Sequence, residues 1–544
     1  MTKSISIGTK DKTFFEYCGN IYNLHKKDVE IMFSQEGIKT LQHLIGEYAL
    51  IWYDAEHKMF YAALDRLGVK TLYYHISPMG VEVSTSLLAL CRGKNYHVDE
   101  YARQCYFSMQ YIPAPNTMVQ EVKKLLPGEI LEYSTETGHY RLCSYWDFYD
   151  NTSLFTRPSS YDEAMRTSES LIMDTVNLRI QNQYSVGTFL SGGIDSSLIT
   201  MMACRLKSNV DCFSIGFDEN SFDESQYACE VANRLGAKMH HFICTPNDAL
   251  RIIDGLQQWY DEPMGDASMI PTSFLCEQAK ECVDFALGGD GGDEVFFGYP
   301  RYLRYARYKS IYSLHPSVRG LMANVAEICG KQRISKTLRL PDVQTLYMNR
   351  RPSNRAELFD ATKIQQSLSQ CHYLYDQTDV RRGFNDFDIK TLMCYAYNVK
   401  VDRAALRANL NVSAPLLDYR IVEYSRLLPL TYCYTKEYGQ KRILRDLLYQ
   451  QLPRELFERE KRGFGVPIGI WFRGPLKDYL IDILNEQTVS LLPDFDSAKL
   501  LQIRDRHIDG VEDQTTLLWL CVNYIAWYQL FEEIIHQSPI TNQQ

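Results

Sequence analysis

The chain has 544 residues, 45% of them apolar and 23% charged, which is the composition of a globular protein and enough length for more than one hydrophobic core. A formal charge of −9 and a pI near 5.8, with Lys and Arg scattered along the chain, leave out the electrostatic footprint of a nucleic-acid binder. Low-complexity and collagen-like biases are missing as well, so a disordered or fibrous protein is excluded.

The first twelve residues, Met1 to Lys12, have no apolar core followed by small residues, so they do not read as a secretory signal and a cytoplasmic location is expected. Short β-branched and aromatic runs follow at Thr13–Tyr17, Tyr48–Tyr53 and Gly80–Ser84, and predict a mainly β region over the first 150 residues. A polar stretch from Asp150 to Ser159 breaks that pattern, and Ser160-x-x-Glu163 predicts a capped helix running to about Gln181. The domain boundary is placed there, giving segments 1–150 and 151–544. Beyond Ser185, strand candidates at Val186–Leu190, Asp211–Phe217, Lys238–Cys244 and Val283–Leu287 alternate with helical stretches, which implies a parallel sheet with crossover helices. After Gly298 the pattern is mostly helical. The most apolar stretch, Leu517–Phe531, falls short of the roughly 20 residues needed to span a bilayer, so it predicts a buried helix and no membrane partner. Fifteen cysteines without CxxC spacing point to reduced, mostly buried thiols.

The strongest chemical signal is Ser191-Gly192-Gly193-Ile194-Asp195-Ser196-Ser197, set between the apolar strand Val186–Leu190 and the apolar Leu198–Met202. Two glycines let the backbone approach a ligand closely, and free amides at a helix start face an anion with the helix dipole behind them. Three hydroxyls add donors. The segment lacks both the Gly-Lys-Ser/Thr ending of a Walker loop and the GxGxxG dinucleotide fingerprint.

A second signal, Gly288-Gly289-Asp290-Gly291-Gly292-Asp293-Glu294, ends another apolar strand, and in an open α/β sheet it would face the same crevice as the Ser191 loop. Carboxylates beside a phosphate site repel it unless a cation lies between, and Mg²⁺ is held by one or two carboxylates plus phosphate oxygens. Asp195 and Asp293 are therefore the magnesium candidates. A third segment, Glu458 to Pro475, is a basic loop punctuated by glycine and carries Lys461.

The Ser191 loop resembles the pyrophosphate-binding loop of the ATP pyrophosphatases. With all three segments in this order, joined by Lys400-Val401-Asp402-Arg403 and Pro415-Leu416-Leu417-Asp418, the chain resembles the asparagine synthetases of the glutamine-hydrolysing type over essentially its whole length. Weaker matches extend into the N-terminal region at Ala63–Tyr74, Tyr111–Thr117 and Leu126-Pro127-Gly128. The resemblance implies an α/β fold. A β-rich remnant of an Ntn-type glutamine amidotransferase sandwich would precede a doubly wound, parallel-sheet ATP-pyrophosphatase (PP-loop) domain with a helical C-terminal region.

It further implies that ATP and Mg²⁺ are the cofactors and that a carboxylate, aspartate or a related acid, is adenylated and passed to ammonia or an amine, with release of AMP and pyrophosphate. Leu190, Ile215 and Gly289 would line the adenosine pocket, with Gly288 beside them, and Ser191 to Ser197 would hold the pyrophosphate. Lys461 would steady charge as the adenylate forms and collapses, and Asp290, where many relatives have Glu, would orient the amine or act as its base. In β-lactam-forming relatives that place holds Tyr, so Asp290 argues against such a cyclase.

The pattern departs from the family in two places. Relatives begin, after loss of Met, with a Cys that hydrolyses glutamine; here Met1 is followed by Thr2, and Cys18 stands where relatives carry the Asn of an oxyanion hole, although Asp28 and Glu30 keep the Asp-x-Glu beyond it. Glutaminase activity is expected to be absent, with ammonia, an amine or a separate glutaminase as the nitrogen source, unless a misplaced start codon has removed the first segment. Further on, Asn411 and Ser413 replace a Glu-x-Arg pair ahead of Pro415. The competing readings are a lactam or macrolactam synthetase of the same family and an inactive paralogue acting as a binding protein; a homodimer is compatible with all three.

Overall fold

The computed structural model describes residues 5–6, 12–148, 155–219, 225–348, 379–458 and 465–538. A pair of antiparallel sheets face each other in the N-terminal region. The first has the order β2 (Phe14–Ile21), β3 (Gly46–Asp54), β4 (Met59–Leu64), β8 (Glu129–Ser134), β9 (Tyr140–Ser144). The second has the order β1 (Ile5–Ser6), β6 (Gly80–Ser84), β5 (Tyr73–Ser77), β7 (Lys123–Lys124). Strand β3 is buried on both faces because both parities of its sequence are apolar. Ala49, Ile51 and Tyr53 join Val81, Val83 and Leu131 between the sheets, while Tyr48, Leu50 and Trp52 pack with Val29 and Phe33 of helix α1 (Lys26–Glu36) on the outer side.

Helix α2 (Tyr161–Ile180) begins where expected. Ser160 Oγ accepts from the Glu163 amide, but the Glu163 carboxylate returns to the Ser159 amide at 2.8 Å, so the cap is spread over two residues. Five parallel strands follow: β10 (Val186–Phe189), β11 (Val210–Gly216), β12 (Lys238–Ile243), β13 (Phe285–Leu287) and β14 (Asn411–Ser413). Their spatial order is β12-β11-β10-β13-β14. Four were legible as strand candidates alternating with helical stretches. The fifth, β14, is three residues long and carries no periodicity of its own; its register is fixed by pairing Phe285–Leu287 with Asn411–Ser413.

Helices α2, α3 (Ile194–Leu206) and α4 (Ser225–Leu235) pack with Val186, Leu190, Cys212, Phe285 and Leu287 on one face. Helix α5 (Met269–Lys280) packs with Phe213, Ile215 and Ala286 on the other. Beyond the sheet come a helical hairpin, α6 (Pro316–Ile328) and α7 (Gln332–Arg339), then α8 (Asn398–Arg407) and α9 (Arg442–Leu448). The apolar stretch near the C-terminus forms α10 (Thr515–Ile535), on the α5 face. Its one buried amide, Asn523, is satisfied by Gln257 and the Trp519 carbonyl, both at 2.9 Å. No helix among the described residues is long and apolar enough to cross a membrane, and the described cysteines are free thiols.

Candidate active site

The chain runs outward from β10 to β11 and β12 on one side and returns to place β13 and β14 on the other, so strand order reverses between β10 and β13. Crevices beyond the carboxyl ends of strands at such a reversal are where ligands settle in doubly wound sheets. The Ser191 loop leaves β10 at this point and the Gly288 turn leaves β13. The two strongest sequence signals, about a hundred residues apart, thus meet.

In the Ser191 loop Gly192 has φ +71°, and a Cβ there would stand 2.8 Å from the Ala228 amide nitrogen, so both conformation and space require glycine. Gly193 is the N-cap of α3. Ser191 Oγ and Ser196 Oγ lie 3.0 Å apart, the Ser191 amide donates to Ser196 Oγ at 3.2 Å, and the Gly193 amide reaches Ser191 Oγ at 3.4 Å. The loop is therefore pre-formed around its own hydroxyls, with α3 directly behind. Ser197 is fully buried.

The Gly288 turn is pressed against this helix start. A Cβ on Gly289 would stand 2.6 Å from the Ser196 nitrogen, and one on Gly292 would stand 2.3 Å from both Cγ and Oδ1 of Asp195. Leu190 and Ile215 both sit at strand ends but face opposite ways: Leu190 joins the core beneath α3, Ile215 the core beneath α5. The structure thus brings Gly289 to the Ser191 loop and does not bring Leu190 and Ile215 into one apolar patch.

Between Asp195 and Asp293 lies a group that the sequence reading missed. Lys441, at the N-terminus of α9, is 5% exposed; its Nζ is 2.7 Å from Asp293 Oδ1 and pairs with Asp195 Oδ2 as well. Burial alone would lower its pKa, but the two carboxylates outweigh burial and hold the ammonium well above its ordinary value. A short hairpin, Tyr434–Thr435 with Gly439–Gln440, delivers it, and Lys441 itself adopts a left-handed conformation, φ 55° and ψ 37°. Its partners are 246 and 148 residues away in sequence, so no local pattern could have exposed it.

Two carboxylates converging on one cation are a donor set that fits Mg²⁺ completed by phosphate oxygens. Among the described residues no group of three or more His, Cys, Asp or Glu gathers to hold a metal, so ligand oxygens would have to supply the remaining positions. Glu294, next in sequence, is buried and accepts from the Tyr299 hydroxyl at 2.7 Å; burial first, and then the Asp293 charge, push its pKa up to about 7. Asp290 is also raised, by burial, with the Lys400 ammonium pulling the other way. Lys400 is anchored 3.0 Å from Ser268 Oγ and 3.5 Å from Asp266. Lys461 lies outside the described residues.

The Asn411 and Ser413 positions also have a structural outcome. Ser413 Oγ donates to Glu47 at 2.6 Å and accepts from Arg179 Nε at 2.8 Å, and Arg179 pairs with Glu47 at 3.4 Å and Asp418 at 3.2 Å. The guanidinium is supplied by α2 rather than by β14, and the network ties β3 of the N-terminal sheet to the edge of the parallel sheet. Cys18 pairs with Ala49 inside β2–β3 and is partly buried. Asp28 and Glu30 are exposed on α1.

Comparison with known proteins places residues 167–529 in the asparagine synthase family and residues 11–146 in the glutamine amidotransferase domain family. The chain is 27% identical over 516 residues to asparagine synthetase [glutamine-hydrolyzing] 1 of Bacillus subtilis, covering 91% of this chain and 80% of that protein. It is 26% identical over 519 residues to a putative asparagine synthetase [glutamine-hydrolyzing] of Mycobacterium tuberculosis, covering 91% and 78%. Among solved structures, the NH3-dependent NAD synthetase of Campylobacter jejuni matches 36% of this chain and 98% of its own at 17% identity, with a TM-score of 0.20, too slight to argue from.

Proposed function

The chain belongs to the asparagine synthase family and is an ATP-dependent ligase, and on that premise we propose that it adenylates a small carboxylate, aspartate or a close relative, and passes the acyl group to ammonia, releasing AMP and pyrophosphate. The observation that carries this reading is the convergence at the strand reversal of the Ser191–Ser197 loop, the Gly288–Asp293 turn and Lys441. The loop offers amides and hydroxyls at the start of α3, suited to a departing pyrophosphate. Asp195 and Asp293 would hold Mg²⁺, which when bound would neutralise phosphate charge. Lys441 shields these two carboxylates from one another's charge and is at hand to follow negative charge onto the leaving group.

Asp290, with its pKa raised and Lys400 close by, orients the incoming nitrogen or takes its proton. Lys461 is assigned to charge stabilisation at the acyl carbon on family resemblance alone, and the boundary near residue 150 separates a glutaminase-like unit from the synthetase unit. Ammonia rather than glutamine is favoured as donor because Cys18 stands in place of an amide side chain within the paired strands β2 and β3.

Product analysis tests the central claim: incubation with ATP, magnesium and a panel of carboxylates gives AMP and pyrophosphate, whereas ADP and phosphate would overturn it. With the accepted acid in hand, ammonium supports amide formation increasingly as pH rises and free NH₃ accumulates, while glutamine does not. Release of glutamate in step with product would reverse the nitrogen assignment, and a product without added nitrogen would point to lactam formation.

A further inference from the structure

Helix α6 is amphipathic with the wrong face outward. Its buried residues are Arg319, Ala323 and Ala326, small or polar side chains turned toward α7. Its large apolar residues, Val318, Leu321, Met322, Val325 and Ile328, recur at helical spacing on the opposite side, with Leu321 65%, Val325 54% and Ile328 87% exposed. Leu314 before the helix and Ile334 in α7 extend the stripe. A folded chain does not ordinarily leave such a continuous apolar stripe in water without a use for it.

The hairpin is nevertheless well made. Arg319 donates to the Leu340 carbonyl at 2.6 Å and the Pro341 carbonyl at 3.0 Å, and Arg339 bonds Glu327 and Asn324, each at 2.8 Å. The exposed stripe is therefore a feature of the folded hairpin and does not come from a helix left unpacked.

Charge identifies what meets it. Residues 301–341 hold nine lysines and arginines against one acid, Glu327, in a chain whose net charge is −9, so the scatter of cations seen over the whole sequence breaks down here. Lys331 and Lys336 are exposed on the hairpin itself, Arg304, Arg307 and Lys309 are exposed in the segment that leads into it, and the turn from Ile328 to Gln332 is exposed throughout. A second copy of this hairpin would bring like charges together. A protein partner would need a concave acidic counterpart for a projecting tip whose most exposed residue is Ile328. An anionic bilayer satisfies both demands, since apolar side chains enter the acyl boundary while Lys and Arg meet the headgroups.

We propose that the α6–α7 hairpin docks this protein onto anionic lipid membranes. The expectation of no membrane partner rests on the lack of a spanning stretch, and a helix lying in the interface needs none. The test is co-sedimentation of the full chain with phosphatidylcholine vesicles, with or without roughly 30% phosphatidylglycerol, at low and high salt. The wild type pellets with the anionic vesicles, less so in high salt, and not with phosphatidylcholine alone. Leu321→Glu with Ile328→Glu weakens binding at least about tenfold, and Lys331→Glu with Lys336→Glu weakens it by at least about fivefold per lysine replaced, with melting temperature and ATP–pyrophosphate exchange unchanged in both. Failure of the wild type to bind anionic vesicles, or equal binding by the Leu321/Ile328 variant, overturns the proposal. So does a stable oligomer that the same variant dissolves, which would make the stripe a protein interface.

Discussion

Lys441 stands where two carboxylates would otherwise confront each other, and its removal is informative in two ways. Lys441→Met leaves Asp195 and Asp293 without their common cation, so the variant melts at a lower temperature in chelator, and Mg²⁺ alone restores much of the loss by binding the same pair. The wild type responds far less to Mg²⁺ without nucleotide, because its ammonium already fills that role. ATP–pyrophosphate exchange falls by roughly 10²–10³-fold, the usual consequence of losing a preorganised charge stabiliser. Equal Mg²⁺ response in the two proteins would refute the assignment. The neighbouring Glu294 carries a pH signature. Its folded pKa of about 7 lies above the ordinary 4.5, so the native state holds the proton more tightly than the unfolded chain does. Its contribution is full below pH 4.5, declines as pH rises and is gone above 7. Glu294→Gln keeps the acceptor for Tyr299 and removes that slope. Chemical denaturation at about pH 5 and about pH 8 should show the variant gaining on the wild type at the higher pH, by no more than about 3 kcal/mol.

At the level of elements, the site depends on how tightly two turns approach each other. Gly289→Ala puts a methyl group 2.6 Å from the Ser196 nitrogen, where only backbone can give way, so the β13 turn and the α3 start must separate. ATP binding measured by calorimetry should weaken by at least about tenfold while the melting temperature falls only modestly, because the rest of both cores is untouched. Undiminished affinity would mean that the close approach does not belong to the nucleotide site. These turns were legible in the sequence because each follows an apolar strand and announces itself with glycine and hydroxyl or carboxyl groups in a row. Strands β10 to β13 were legible through their alternation with helical stretches, and Ser160 marked the start of α2. What escaped is what tertiary structure alone brings together. Strand β14 is too short to show a period, Lys441 is one lysine among many until the fold carries it to Asp195, and Arg179 reads as an ordinary basic residue near a helix end. The reversed amphipathicity of α6 was equally hidden, since periodicity gives a stripe without saying which side faces the core.

At the scale of the whole molecule, Glu47, Arg179, Ser413 and Asp418 join the β-rich and parallel-sheet regions through side chains that are all at most 2% exposed. Arg179→Met strands Glu47 as a buried acid, while Asp418 keeps Arg420 at 2.9 Å, and should cost about 3–5 kcal/mol, far more than an exposed pair would. Scanning calorimetry checks this. The wild type should unfold in one transition, and Arg179→Met should melt lower or split into two; an unchanged single transition would show that the network does not couple the two regions. The same geometry bears on why the β-rich region persists. Without it, Arg179 and Ser413 would face solvent and apolar surface would lose its cover, so a synthetase expressed from residue 155 onward should aggregate. Selection to keep one half foldable would then act on the other half's architecture independently of its chemistry, and inheritance of a fold would not depend on inheritance of its reaction.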